Sequence, residues 1–253
     1  MSEIQGIYVL WLRDVKKFFR IKSRFLGSLG MPVFFLIFLS IGFRRVIIPS
    51  LPEGISYGDF VVPGIIAMVL LFSGTFSGVS VVWDRQFGFL REIIVSPVSR
   101  AAIAVGRTLG GATTALLQAL ILLILSFLIG FRVPISAIPA LILSMYLIAM
   151  AFTGLGILFS VFMHDVHGFQ IVINFFVFPI FLISGTIFPI SELPESVAII
   201  SMFNPLTYGV DAMRFVIFGF SEIDPLLDFA VLLASTIVIL ITAGFFFSRT
   251  EVE

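Results

Sequence analysis

Cysteine is absent from the 253 residues, which excludes a disulfide framework, a thiolate metal site and a cysteine nucleophile. Charge is scarce: charged residues make up 12% of the chain, about half the ~25% expected of a soluble domain. Three lysines stand beside 31 phenylalanines, and hydrophobic residues reach 59%. A soluble core of this length cannot hide that much apolar surface, because surface shrinks too slowly with size. The remainder would face water as large apolar patches. The chain is therefore an integral membrane protein, and both disorder and a soluble enzyme fold are excluded. A formal net charge of zero gives no reason to expect nucleic acid.

Catalytic motifs are missing too. His164 and His167 are the only histidines, with no H-E-x-x-H and no further ligand to complete a metal site. A polar turn at a span end is the plain explanation for them. G-x-S-x-G does not occur. A P-loop needs Gly-Lys before Ser or Thr, and Lys16, Lys17 and Lys22 all lack the preceding glycine. The sequence is not that of an enzyme, and it binds no cofactor by any motif. Active transport would have to draw its energy from another subunit. The span middles carry no charge, Gln118 and Asn174 being merely polar, which disfavours ion-coupled transport.

What is present is a series of apolar runs near the ~20 residues a helix needs to cross a bilayer. An all-α protein with six transmembrane helices is predicted, at about 25–43, 60–83, 108–131, 137–163, 168–189 and 228–248. No alternating polarity suggests a barrel. One side of these spans carries Arg13, Lys16, Lys17, Arg20, Lys22, Arg24, Arg85, Arg91, Arg100, Arg107 and Arg249. The other has Arg44, Arg45, Arg132 and Arg214, so both termini are expected in the cytoplasm of a cell (plasma or inner) membrane. A cleavable signal peptide is not expected, because a basic amphipathic stretch precedes the first apolar run.

The linking segments differ in character. Residues 1–24 read as a helix in the cytoplasmic interface, with Ile4, Ile7, Tyr8, Trp11, Val15 and Phe18 on one face. Arg13, Lys16, Lys17 and Arg20 lie on the other, near anionic head groups. This helix is either a plain anchor or a lever touching a cytoplasmic partner. The loop 84–100 is too apolar for a linker: Phe87, Phe89, Leu90 and Ile93 recur at helical spacing, Arg91 and Glu92 are polar, and Pro97 stops the helix. Such a helix rests on the membrane or docks in a groove of another protein. From 190 to 224 the chain is apolar but broken by proline, and a re-entrant outer segment is predicted. Gly185, Pro189, Asn204 and Pro205 mark its turns, and Asp211 with Arg214 is expected to form an ion pair on one helix face. Gly74 with Gly78, and Gly106 with Gly110, have the small-residue spacing of close helix packing, at an interface with a second copy or within the chain.

Three stretches resemble the membrane subunits (permeases) of ABC-2 type ABC transporters. Trp83 to Glu92, continuing to Ser96-Pro97-Val98-Ser99-Arg100, is similar to the family's coupling region. Phe181-Leu182-Ile183-Ser184-Gly185-Thr186-Ile187-Phe188-Pro189 resembles its fifth-span ending, and Asn204-Pro205-Leu206-Thr207-Tyr208 with Asp211 and Arg214 the segment before its last span. The daunorubicin-resistance type of multidrug exporter is the subgroup it resembles most. The resemblance implies a dimer with a second copy or a similar chain, and two copies of a separate ATP-binding subunit that holds ATP and Mg. It implies export of an amphipathic or lipid-like molecule: a drug, a lipid or a lipid-linked glycan. An ATP-independent channel or carrier and a non-transporting scaffold are the alternatives. A channel would show charge rings or a carbonyl filter, and neither is found.

Overall fold

A computed structural model describes residues 3–20, 22–43, 46–87, 98–163 and 165–249, with the backbone alone for 22–26. Every regular element among them is helical. In order these are α1 (Glu3–Arg20), α2 (Lys22–Gly42), α3 (Tyr57–Ser77), α4 (Val79–Gln86), α5 (Arg100–Leu128) and α6 (Ile138–Phe162). A broken run follows: α7 (Val166–Val172), a π-helical turn (Ile173–Val177) and α8 (Phe178–Leu182). Then come α9 (Glu195–Ser201), α10 (Pro205–Phe218) and α11 (Pro225–Ser248).

Local chemistry sets these boundaries. Ser56, Ser99 and Asp224 accept backbone N–H groups at the starts of α3, α5 and α11. Proline occupies the first turn of α6, α8, α10 and α11, where a missing N–H costs nothing. Gly219, at φ 69°, ends α10 in the left-handed conformation that glycine adopts freely.

Among the described residues four segments are long and apolar enough to cross a membrane: Tyr57–Gln86, Arg100–Leu128, Ile135–Phe162 and Pro225–Ser248. Gly27–Gly42 and Val166–Leu182 are shorter apolar helical runs. The helix bounds depart from the expected ones in several places, the first and last runs each starting three residues early. The second, expected at 60–83, runs from Tyr57 to Gln86 and bends at Gly78. The third starts at Arg100 rather than 108, because Arg107 is neutralised inside the fold and the helix need not stop for it. The fifth stops at Leu182 rather than 189, since the chain turns at Gly185 with φ +72°.

α3 is the centre. It packs on α2, α5, α6 and α10 and is buried through most of its length, Phe60, Ile66, Leu70 and Leu71 being inaccessible. At Gly78 it crosses α6 backbone to backbone: a β-carbon there would overlap the Gly156 carbonyl, and one at Gly156 would overlap that of Thr75. α11 lies at the edge, touching α5, α6 and α10.

Candidate functional site

Between α2 and the α7–α8 run lies a part-open cleft of ≈ 950 Å³. Its walls are apolar: Phe35 from α2, Met68, Phe72 and Phe76 from α3, and Phe169 and Phe181 from the broken run. Midway sits one polar hub. The Gln118 side chain, 7% exposed on α5, accepts hydrogen bonds from Ser73 (2.6 Å) and Ser28 (3.1 Å). Toward the α1 end the lining turns polar, with Ser77 and Ser80, then Asp14 and Lys17. Lys17 thus lines the cleft and does not simply point to head groups. The arrangement offers an apolar body site with hydrogen-bonding groups at mid-depth and charge at one mouth.

That mouth is built as one block. α1 lies along α5, with Gly6 and Leu10 buried. Close approach needs small residues on α5: a β-carbon at Gly106 would meet the Ile7 carbonyl oxygen at 3.0 Å, and one at Gly110 would meet Asp14 Cβ at 2.9 Å. Trp11 donates to Thr113 (3.1 Å), and Glu3 accepts from the Ser99 hydroxyl (2.8 Å). Ile4 and Tyr8 stay exposed, so α1 turns Gly6 and Leu10 to the protein and leaves apolar side chains outward. Across the block runs an ion network. Arg107, 2% exposed, binds the Asp84 carboxylate at the end of α4 and also Ser80. Arg13 of α1 reaches the same carboxylate (3.2 Å) and Asp14 (3.1 Å). Arg85 donates to the Met163 carbonyl (3.1 Å), tying α4 to the end of α6.

The opposite face is closed by residues 183–224. Arg214, 1% exposed, donates to the carbonyls of Gly185 (2.7 Å), Thr186 (3.3 Å) and Phe60 (3.4 Å). Its guanidinium carbon stands 3.5 Å from the Phe60 ring centroid. Asp211 accepts from the N–H groups of Glu222 and Ile223 (2.8–3.1 Å). The expected Asp211–Arg214 ion pair is not made: among the described residues the only ion pairs join Arg13, Asp14, Asp84 and Arg107. Buried backbone groups, which must find partners, take both side chains instead. Burial pulls the Arg214 guanidinium down to about 10, opposed by Asp211, so it remains a cation at neutral pH. Burial lifts the Asp211 carboxyl, against the N–H donors that lower it. α10, with 14 residues and about 21 Å of rise, is too short to cross a membrane.

The other expected site residues fall as follows. Asn204 caps α10 and donates to the Ile180 carbonyl (2.7 Å), Pro205 opens α10, and Gly185 and Pro189 are buried in the closing turn. Gly64, not anticipated, admits the Thr186 carbonyl against α3. Gly74 meets Thr153 of α6, so both glycine pairs are taken up by contacts within the chain. Phe87 ends α4 and is 73% exposed. Phe89, Leu90, Arg91, Glu92, Ile93 and Pro97 lie outside the described residues. Sequence reasoning missed the Asp84–Arg107 contact and the Gln118 hub. For Gln118 the signal was a lone polar residue in a long apolar run; Asp84 and Arg107 stood at run ends, where charge is expected anyway.

Comparison with known proteins bears on this arrangement. The profile described as "ABC-2 type transporter" matches residues 5–218. The inner membrane transport permease YadH of Escherichia coli (strain K12) is 26% identical over 227 residues, covering 88% of this chain and 87% of that protein. Nodulation protein J of Rhizobium leguminosarum bv. viciae is 25% identical over 194 residues, covering 75% of this chain and 73% of that one.

Proposed function

This chain belongs to the ABC-2 type transporter family, and from that premise we propose that it is the membrane permease subunit of an ATP-driven exporter. ATP is hydrolysed on separate ATP-binding subunits, which hold the nucleotide and Mg and dock on the cytoplasmic 84–100 loop. The two shorter apolar runs complete six spans, both termini face the cytoplasm, and 190–224 is re-entrant on the outer side. Supporting the orientation, the ends of α4, α6 and α11 gather with α1 and the start of α5 at the arginine-rich face: Arg85 holds Met163 and Arg100 holds the Ser248 carbonyl.

The cleft is the observation that carries the reading. Its apolar walls, polar hub and charged mouth suit an amphipathic molecule, which enters from the cytoplasmic leaflet. Its mouth belongs to the rigid block of α1, α4 and the start of α5. A pull on 84–100 moves the end of α4 and the start of α5 together, because Asp84 and Arg107 are joined. Asp14, Lys17, Ser80 and Trp83 move with them and change the cleft entrance. Gln170 and Asn174 bond to each other at 3.2 Å on an exposed face beside Ile171, Phe175 and Phe176. A second permease copy laid on that face would wall off the open side of the cleft.

The test is reconstitution in liposomes with the ATP-binding subunit that co-purifies from the native membrane. ATP-dependent movement of a fluorescent amphipathic dye is expected, reduced at least tenfold by Gln118→Leu with Ser73→Phe, which fills the cleft. Movement without ATP, or movement indifferent to those changes, would count against the export reading.

A further inference from the structure

The mouth of the cleft carries an imbalance of charge. Arg13 and Arg107 meet Asp14 and Asp84, two cations against two carboxylates joined in one network. Lys17, one turn further along α1 and half-buried, lines the cleft and enters no ion pair among the described residues. The walls offer nothing to offset it. Apart from Asp14 no lining residue is acidic, and Asp14 accepts from Arg13 through both Nε (3.2 Å) and a terminal nitrogen (3.1 Å). Neither α2 nor the α7–α8 run contains an aspartate or a glutamate. A cation held beside apolar surface gains strongly from an anion that shares its surroundings.

The count of hydrogen-bond donors leads the same way. The hydroxyls of Ser77, Ser80 and Thr114 spend their protons on the carbonyls of Gly74, Ser77 and Gly111. Those of Ser28 and Ser73 go to the Gln118 carbonyl oxygen. The hub therefore keeps its amide N–H2, for which no acceptor stands among the described residues. α1 and α5 run in the same sense here, since Ile7 and Leu10 lie on Gly106 and Asp14 lies on Gly110. Continuing that register puts Lys17 near the level of Thr114, about 6–8 Å of rise short of Gln118.

We propose that the cleft takes an amphiphile with an acidic headgroup, a phosphate, sulfate or carboxylate on an apolar tail, and that Lys17 selects it. The ammonium holds the anion at the mouth, and Gln118 donates to the polar atoms that follow it. Phe35, Phe72 and Phe181 line the part that receives the tail, and they accept any tail alike. A quaternary ammonium headgroup is rejected on two grounds: it meets the Lys17 charge, and the carboxylates it would seek are already engaged by Arg13 and Arg107. This inference rests on the reading of the cleft as the substrate site and adds the charge of the headgroup to it.

The test uses the full chain with its co-purifying ATP-binding subunit, in nanodiscs of phosphatidylcholine, whose zero net charge favours neither probe. Two fluorescent single-chain probes share one dodecyl tail, one ending in phosphate and the other in trimethylammonium. The parent complex should bind the phosphate probe about tenfold more tightly, the worth of one charge-assisted hydrogen bond. Lys17→Gln should erase that preference and Lys17→Arg should keep it. Lys16→Gln, at an exposed neighbour outside the cleft, should keep it too. Gln118→Leu with Ser73→Phe should weaken both probes, and inorganic phosphate at equal concentration should displace neither. Equal binding of the two probes by the parent would overturn the proposal, as would a preference that survives Lys17→Gln or is lost equally in Lys16→Gln. Displacement by inorganic phosphate alone would make this a site for a free anion and overturn it as well. The parent measurements and the phosphate competition need no variant to fold. A headgroup preference without ATP-driven movement would leave the site standing and remove the export reading. ATP-driven movement of both probes alike would do the reverse.

Discussion

Two buried arginines hold opposite ends of the molecule, and they do so differently. Arg107 meets a carboxylate, and removing one member strands the other in a poorly solvated place. Arg107→Leu should therefore destabilise by about 3–5 kcal/mol, while Arg107→Leu with Asp84→Leu costs less than either single change. Thermal unfolding of the four-variant cycle checks this; additive losses would mean that the contact carries no coupling. Arg214 serves carbonyls instead. Orphaning a buried polar group costs about 1–3 kcal/mol, so Arg214→Ala should lower the melting point markedly. Exchanging the charges, Asp211→Arg with Arg214→Asp, should restore nothing, because the two side chains do not pair. Recovery in that exchange would reinstate a direct bond. This difference was not legible in the sequence. A spacing of three places two side chains on the same side of a helix, whereas the carbonyls of Phe60, Gly185 and Thr186 are brought in from far along the chain.

At the scale of elements, composition and apolar run length gave the helical class, while the serine and aspartate caps and first-turn prolines that set the actual starts went unread, because charge alone bounded the runs. The fifth run was harder, because a stretch without charge looks continuous until Gly185 turns it. The amphipathic pattern of 1–24 also concealed what α1 packs on. Hydrophobicity marked Ile4 and Tyr8, which are exposed, while the face against α5 is Gly6, Leu10 and Asp14. The fit tolerates little bulk. Gly110→Leu should lift α1 from α5, since even a β-carbon there crowds Asp14. A cysteine pair at Trp11 and Thr113, in a chain with no other cysteine, should cross-link readily in the parent and poorly in the Gly110→Leu variant. Equal cross-linking would show that α1 accommodates the side chain.

For the whole molecule, topology and assembly are open to the same cysteine chemistry. A cysteine at Ser96 should react with an impermeant reagent only from the cytoplasmic side, and one at Ser221 only from outside; labelling of Ser96 from outside would break the six-span reading. A cysteine at Asn174 should cross-link to its counterpart in a second copy if the exposed Gln170–Asn174 face is covered as proposed, and its failure to do so in native membranes would move the contact elsewhere. The edge position of α11 has a consequence of another kind. Only 17% of its most apolar stretch is buried, and its inward residues, Asp228, Leu232, Thr236, Ala243 and Phe247, form one narrow stripe. Most of its surface is therefore left for lipid, while its contacts with α6, α10 and α5 hold its tilt. Its 24 residues rise about 36 Å, against a hydrocarbon layer about 30 Å thick. A thinner bilayer leans such a helix further over, at a fraction of a kcal/mol per Å of mismatch. The end carrying Asp228 abuts the closure formed by 183–224, so a change of acyl-chain length is expected to be felt there first, as a shift in the melting temperature between thin and thick bilayers.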